Sequence, residues 1–200
     1  MHHLKVMTRH LYVLSTATSL FLPSLGLSEL WIGFGSGKSY RDIPVHNIHL
    51  QLGPSKSLTL PLFHALTGSD TTSQFLGCGK KTAWAAWNST PALRETMTIL
   101  TDHPELFTLE SVHMQCIERF VVNMYSKTCG SATVNDARCH LFSTGSRSLD
   151  SIPPTQAALF QHVKRSLLQA SFIVKFLQNG WLLLTLMMSF KALQSSTPNG

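Results

Sequence analysis

The spacing of apolar positions divides the chain into an early part with the period of strands and a later part with the period of helices. Leu11-Tyr-Val-Leu-Ser15 reads as a short buried strand. Leu30-Trp-Ile-Gly-Phe34 and Ser39-Tyr-Arg-Asp-Ile43 read as two strands around a Gly-Ser-Gly turn, hence a hairpin. Pro44 and Pro54 then open two helices, because proline suits a first helical turn. The second is expected from Ser55 to about Leu66, with Leu58, Leu62, Ala65 and Leu66 on one face. Gly68 to Gly79 is a loop rich in Gly, Ser and Thr, and Lys80 to Trp87 should be helical. Leu109 to Tyr125 carries the clearest helical stripe: Leu109, Val112, Cys116, Ile117, Phe120, Val121 and Met124. Val134 to Phe142 is a further short helix. Pro153-Pro154 begins a long one, with Phe160, Val163, Leu167, Ala170, Val174 and Leu177 on its apolar side. Strands first and helices afterwards predict an α/β core with a helical C-terminal half. Ser195 to Gly200 reads as a disordered polar tail.

Composition changes this picture in two respects. Only 13% of residues are charged, about half the share of a typical soluble domain, which suits a fragment, a partner-bound chain or a decayed copy. The charge balance is +6, which favours a polyanionic partner such as nucleic acid, or an anionic membrane surface. The four cysteines, Cys78, Cys116, Cys129 and Cys139, include no C-x-x-C pair, so zinc-ribbon geometry is excluded. Reduced thiols in a nuclear or cytoplasmic protein are expected.

Two apolar stretches bear on membranes. Leu11 to Leu27 follows Lys5 and Arg9 as a signal peptide would, but its serines, threonines and Pro23 dilute it, and a buried strand and turn is the preferred reading. Phe172 to Phe190 is interrupted by Lys175, Gln178, Asn179 and Gly180, leaving less than the roughly 20 residues a span requires. Its run from Trp181 to Met188 should pack on something or aggregate.

The chemistry concentrates in Gly68-Ser-Asp-Thr-Thr-Ser-Gln-Phe-Leu-Gly77-Cys-Gly79-Lys-Lys-Thr-Ala83. A helix ends, an aspartate follows, and a Gly-x-Gly leads into a new helix with two lysines in its first turn. Glycines allow a tight turn and close approach to another surface. The N–H groups of such a turn and of a helix start converge on a concavity suited to phosphate. Lysines there oppose the helix dipole unless an anion is present. On spacing alone, a Gly-rich turn with solvated lysines is the plainer reading.

The pattern Gly68-x-Asp70-(x)6-Gly77-x-Gly79-x-x-x-Ala83 resembles the helix–hairpin–helix signature of the flap endonuclease and XPG family. Upstream, Phe34-Gly35-Ser36 is similar to that family's strand-end turn, and Leu62-Phe-His-Ala-Leu-Thr-Gly68 to the helix feeding its Gly-x-Asp. A second resemblance covers about Leu30 to Ala170. The strings Leu60-Pro-Leu-Phe-His-Ala-Leu-Thr-Gly-Ser-Asp70, Gly79-Lys-Lys-Thr-Ala-Trp84, Val134-Asn-Asp-Ala-Arg138 and Pro153-Pro-Thr-Gln-Ala-Ala158 look like a set of uncharacterised animal proteins spread by mobile elements.

The resemblance implies a truncated PIN-like, flap-endonuclease-like α/β core. In that family clustered carboxylates hold two Mg²⁺ or Mn²⁺ ions that activate water against a phosphodiester. It implies that Asp70 is a catalytic metal ligand and that Gly77, Cys78, Gly79, Lys80 and Lys81 contact duplex or branched DNA. The pattern breaks upstream: where these relatives carry an Asp-x-Asp pair, this chain has Thr8 and His10, and residues 1–69 contain only Glu29 and Asp42 as acids. One aspartate cannot hold two hard cations. The expectation is therefore a nuclease-derived, sequence-independent nucleic-acid binder with impaired catalysis and no small-molecule cofactor. One rival is an active metal-dependent endonuclease completed by another chain. Another is a non-enzymatic, membrane-associated protein. The expected organisation is a partial core over residues 1–69, a helix–hairpin–helix and helical region over 70–178, and a divergent tail over 179–200.

Other signals are set aside. Gly35-Ser-Gly-Lys-Ser39 resembles half a P-loop, but Ile32 stands where the first glycine belongs, so a hairpin turn is expected. His46-x-x-His49 lacks a third metal ligand, and Cys129 with Cys139-His140 is equally incomplete. Asn88-Ser-Thr90 is a glycosylation sequon, relevant only to a secreted chain. His64 is expected to pack or cap.

Overall fold

The computed structural model describes the backbone of residues 3–6 and 178 and, in full, residues 28–144 and 151–177. The strand expected at 11–15 and the Trp181–Met188 run lie outside the described residues. The protein is a mixed α/β fold, mostly helical, with a small sheet. The described residues divide into two compact units, one up to Pro61 together with 172–178, the other within Leu62 to Ser171.

In the first unit, β1 (His3–Val6), β2 (Glu29–Phe34) and β3 (Arg41–Pro44) form one sheet in that order. β1 runs parallel to β2, with Leu4 opposite Leu30. β2 and β3 are antiparallel, with Ile32 opposite Ile43 and Phe34 opposite Arg41, so the hairpin forms where the alternation places it. The period of two turns Leu30 and Ile32 inward. Gly35-Ser-Gly-Lys-Ser39 is the hairpin turn. Gly35 has φ +89°, and a Cβ there would lie 2.4 Å from the Ser39 carbonyl oxygen, so only glycine fits.

Helix α1 (Val45–Leu52) starts directly after Pro44, and α2 (Pro54–Leu66) after Gly53. Both proline-led starts match the expectation. The two histidines of α1 are engaged locally. His46 sits on the Leu30 backbone, its Nδ1 3.2 Å from the nitrogen and 3.1 Å from the oxygen. The Ser57 hydroxyl donates to the Gly53 carbonyl at 2.9 Å, so the 2.9 Å contact between His49 Nδ1 and Ser57 is donated by the imidazole.

The second unit contains the end of α2, then α3 (Lys80–Asn88), α4 (Pro91–Asp102), α5 (Val112–Tyr125), α6 (Val134–Ser143) and most of α7 (Gln156–Gln178). Its core is built from Leu62 and Leu66, Ala83 and Trp87, Leu93 and Met97, Ile117 and Phe120, and Leu159 and Val163, all buried. Each such large side chain contributes about 1.5–3 kcal/mol by leaving water. Phe63 stacks on Trp87 at 4.7 Å and meets Trp84 edge-on at 5.5 Å, which locks α2 to α3.

Two expectations are corrected, and one helix is additional to them. The stripe assigned to α5 begins too early: the helix starts at Val112, capped by Ser111, whose hydroxyl accepts from the Met114 amide at 3.2 Å. Leu109 and Val112 are exposed, and the helix instead buries Met114, Val122 and Glu118. On α7 the fully buried residue is Leu159, while Phe160 is half-buried and stacks on Phe107 at 5.2 Å. Helix α4 has no counterpart in the apolar pattern, because Thr96 and Thr101 occupy buried positions of its inner face. Thr101 is accommodated there by donating to the Met97 carbonyl of its own helix at 2.7 Å.

Candidate nucleic-acid interface

The Gly68–Gly79 loop leaves the C-terminus of α2 and enters α3. Its first end is held by internal structure. Gly68 has φ +100°, and a Cβ there would lie 2.5 Å from Gln74 Cβ and 2.8 Å from Gln74 Cα. Ser69 and Thr72 close a turn through reciprocal backbone bonds of 3.0 and 3.3 Å. The Thr72 hydroxyl donates back to the Ala65 carbonyl at 2.6 Å, and Ser69 reaches Gln169 on α7. Asp70 stands exposed at the tip of this turn.

Lys80 belongs to the same arrangement. Its Nζ donates to Gly68 O at 2.7 Å, Thr67 Oγ1 at 3.0 Å and His64 O at 3.3 Å. All three ammonium protons are therefore aimed at oxygens around the end of α2. A cation at a helix C-terminus is favoured both by its carbonyls and by the dipole. Desolvation among these oxygens lowers the Lys80 pKa from the usual lysine range. Lys80 thus bridges the two helices across the loop. Nothing in its position along the sequence signals this, since the bridge depends on where α2 ends in space.

The second end of the loop is different. Gly77 has φ +75°, the left-handed region that favours glycine. Cys78 turns its side chain inward: it is buried, its thiol lies 3.6 Å from the Met124 carbonyl oxygen, and burial pushes its pKa up. Only its backbone remains for an outside partner. Gly79 is the N-cap of α3, with φ −78° and no atom within 4 Å of where a Cβ would stand. Neither conformation nor internal packing requires glycine there. The first intrahelical bond runs from the Ala83 amide to the Gly79 carbonyl at 3.0 Å, so the amides of Lys80, Lys81 and Thr82 have no partner within α3. Lys81 is exposed beside them.

The remaining strings with a sequence resemblance also meet one another. Asn135 Oδ1 accepts from the Gln156 amide at 3.0 Å, and Arg138 donates to the Pro153 carbonyl. Buried Glu118 completes this junction, accepting from the Val134 amide at 3.2 Å and from Gln156 Nε2 at 3.3 Å. Its place inside the helical stripe of α5, next to Ile117, gave no hint of this role. These residues set α6 against α7.

Among the described residues no group of three His, Cys, Asp or Glu side chains could hold a metal ion. Those residues give Asp70 no donor set for a pair of divalent cations, which require several oxygen ligands. Also among the described residues, no helix is long and apolar enough to cross a membrane. Compared with protein-family models, with curated proteins and with solved structures, the chain finds no match.

Proposed function

We propose that this chain is a nuclease-derived, PIN-like nucleic-acid-binding protein that grips the phosphate backbone at Gly77–Lys81 without reading sequence, and that its catalysis is impaired. The observation that supports this reading is the open N-terminus of α3. Gly79 leaves three helix-start amides without a side-chain cap, and neither its φ nor its packing demands glycine. A phosphate oxygen would accept those amides and be favoured by the helix dipole. Lys81 adds charge at the same turn, and the +6 balance of the chain has the sign a polyanion needs. The role of Lys80 in this reading is to hold the turn in place. Asp70 is the residue that would face a divalent ion if another chain supplied further carboxylates.

The test is a titration of the full chain against plain and branched duplex DNA at two salt concentrations, with and without Mn²⁺. Binding should weaken steeply with salt, and Lys81→Glu should reduce the salt slope by about 1 with no cleavage product. Salt-independent binding, or none at low salt, would overturn the reading. Mn²⁺-dependent cleavage abolished by Asp70→Ala would replace it with the active, chain-completed endonuclease.

A further inference from the structure

The loop that carries the proposed phosphate contact also forms one wall of a separate cleft, with a volume of about 380 Å³. Ser73 and Phe75 line that wall. Ala158, His162 and Arg165 line the opposite side; at i, i+4 and i+7 on α7 they share one helix face. Arg138 of α6 and Tyr125 at the end of α5 complete the lining, with Ile152 and two prolines as apolar surface. Among the described residues no carboxylate lines the cleft, while two guanidiniums do.

Arg138 and His162 are held in place. Arg138 is anchored through Nη1 on the Pro153 carbonyl, which leaves the other N–H groups of its five-donor fork uncommitted to that bond. His162 Nε2 lies 2.8 Å from the Leu66 carbonyl oxygen. A carbonyl only accepts, so Nε2 carries the proton and Nδ1 presents its lone pair, to which the Ser73 hydroxyl donates at 3.4 Å. Phe75 braces the imidazole edge-on at 5.1 Å. Desolvation lowers the His162 pKa, and the neighbouring Arg165 charge lowers it further. Arg165 itself is exposed, and among the described residues it has no carboxylate within ion-pair distance. Two cationic forks with no carboxylate partner among the described residues match a dianion, and planar guanidiniums match its oxygens two at a time. The volume lies at the lower end of the range for small-molecule sites, well above the size of a bare phosphate ion. Phe75, Leu76, Tyr125 and Ile152 supply apolar and aromatic surface, and Ser73 and Gln74 add polar groups.

We propose that this cleft binds a small phosphate monoester carrying a flat ring, a ligand the size of a nucleoside monophosphate, with Arg138 and Arg165 on the phosphate. Sequence patterning implied no small-molecule ligand, because the lining residues are scattered over five segments. The site is distinct from the Gly77–Lys81 turn, so the two stand or fall separately.

Calorimetric titration of the full chain with AMP, adenosine and inorganic phosphate tests this, with circular dichroism confirming the fold of each variant. AMP should bind saturably, and adenosine and inorganic phosphate each at least about tenfold more weakly. Arg165→Gln should weaken AMP about tenfold, and Arg165→Lys by a smaller factor because it keeps charge and loses the fork. Lys81→Glu should leave AMP affinity unchanged. The proposal is overturned if AMP does not saturate, if inorganic phosphate binds as tightly as AMP, if folded Arg165→Gln binds AMP like the parent, or if Lys81→Glu removes AMP binding.

Discussion

The two ends of the Gly68–Gly79 loop carry the same residue type for different reasons. At Gly68 the reason lies inside the molecule: a positive φ and a Gln74 side chain 2.5 Å from any Cβ. At Gly79 the backbone is ordinary and the space is empty. The lysines divide in the same way, since Lys80 is bonded into the end of α2 while Lys81 stands exposed. A glycine or lysine with a sufficient internal role offers no support for a ligand. One without such a role does, and this contrast moves the proposed contact from the whole motif to its second half.

The contrast can be broken by substitution. Gly68→Ala should have the largest effect, lowering stability by about 2–3 kcal/mol through left-handed strain and overpacking; chemical denaturation would measure it, and a neutral result would remove the internal explanation. Lys80→Met comes next, at about 1 kcal/mol for the lost bonds to the end of α2, read from the same denaturation curves. If Lys80→Met left stability unchanged but abolished DNA binding, the bridge would be secondary and the lysine a direct contact.

A smaller effect should appear with pH. His162 has a lowered folded pKa, chiefly from burial, so between the folded and unfolded values the unfolded chain binds the extra proton. Its contribution is therefore fully present above the ordinary histidine pKa of 6.5 and is lost as pH falls through the folded value. The melting temperature should drop across that window, and His162→Gln should flatten the drop. His49, also lowered by burial, should leave a residual slope. The smallest effect on stability belongs to Gly79→Ala, a loss of about 0.5 kcal/mol from replacing glycine with alanine at an N-cap.

The sequence was informative wherever one spacing determines one element. The proline-led starts of α1 and α2, the hairpin of β2 and β3, and the loop from Gly68 to Gly79 follow from local rules of backbone geometry. Helix α4 was illegible because Thr96 and Thr101 interrupt its inner face with hydroxyls, that of Thr101 satisfied by the Met97 carbonyl of the same helix. The start of α5 was misplaced because Leu109 continues the apolar period while lying outside the helix. At the site, the candidate turn could be located from Gly-x-Gly and the lysines. Which lysine faces inward could not, since that depends on carbonyls contributed 12 to 16 positions earlier. The Arg138, His162 and Arg165 cleft was hidden for the same reason: its residues become neighbours only when α6 and α7 pack.

The central claim is that Gly79 is glycine for the sake of an external phosphate. Its most direct test compares the parent chain with Gly79→Glu, measuring duplex DNA affinity at low salt beside thermal stability. The account predicts at least a tenfold loss of affinity with the melting temperature unchanged to within about 2 °C. Unchanged affinity in a folded Gly79→Glu protein would contradict it.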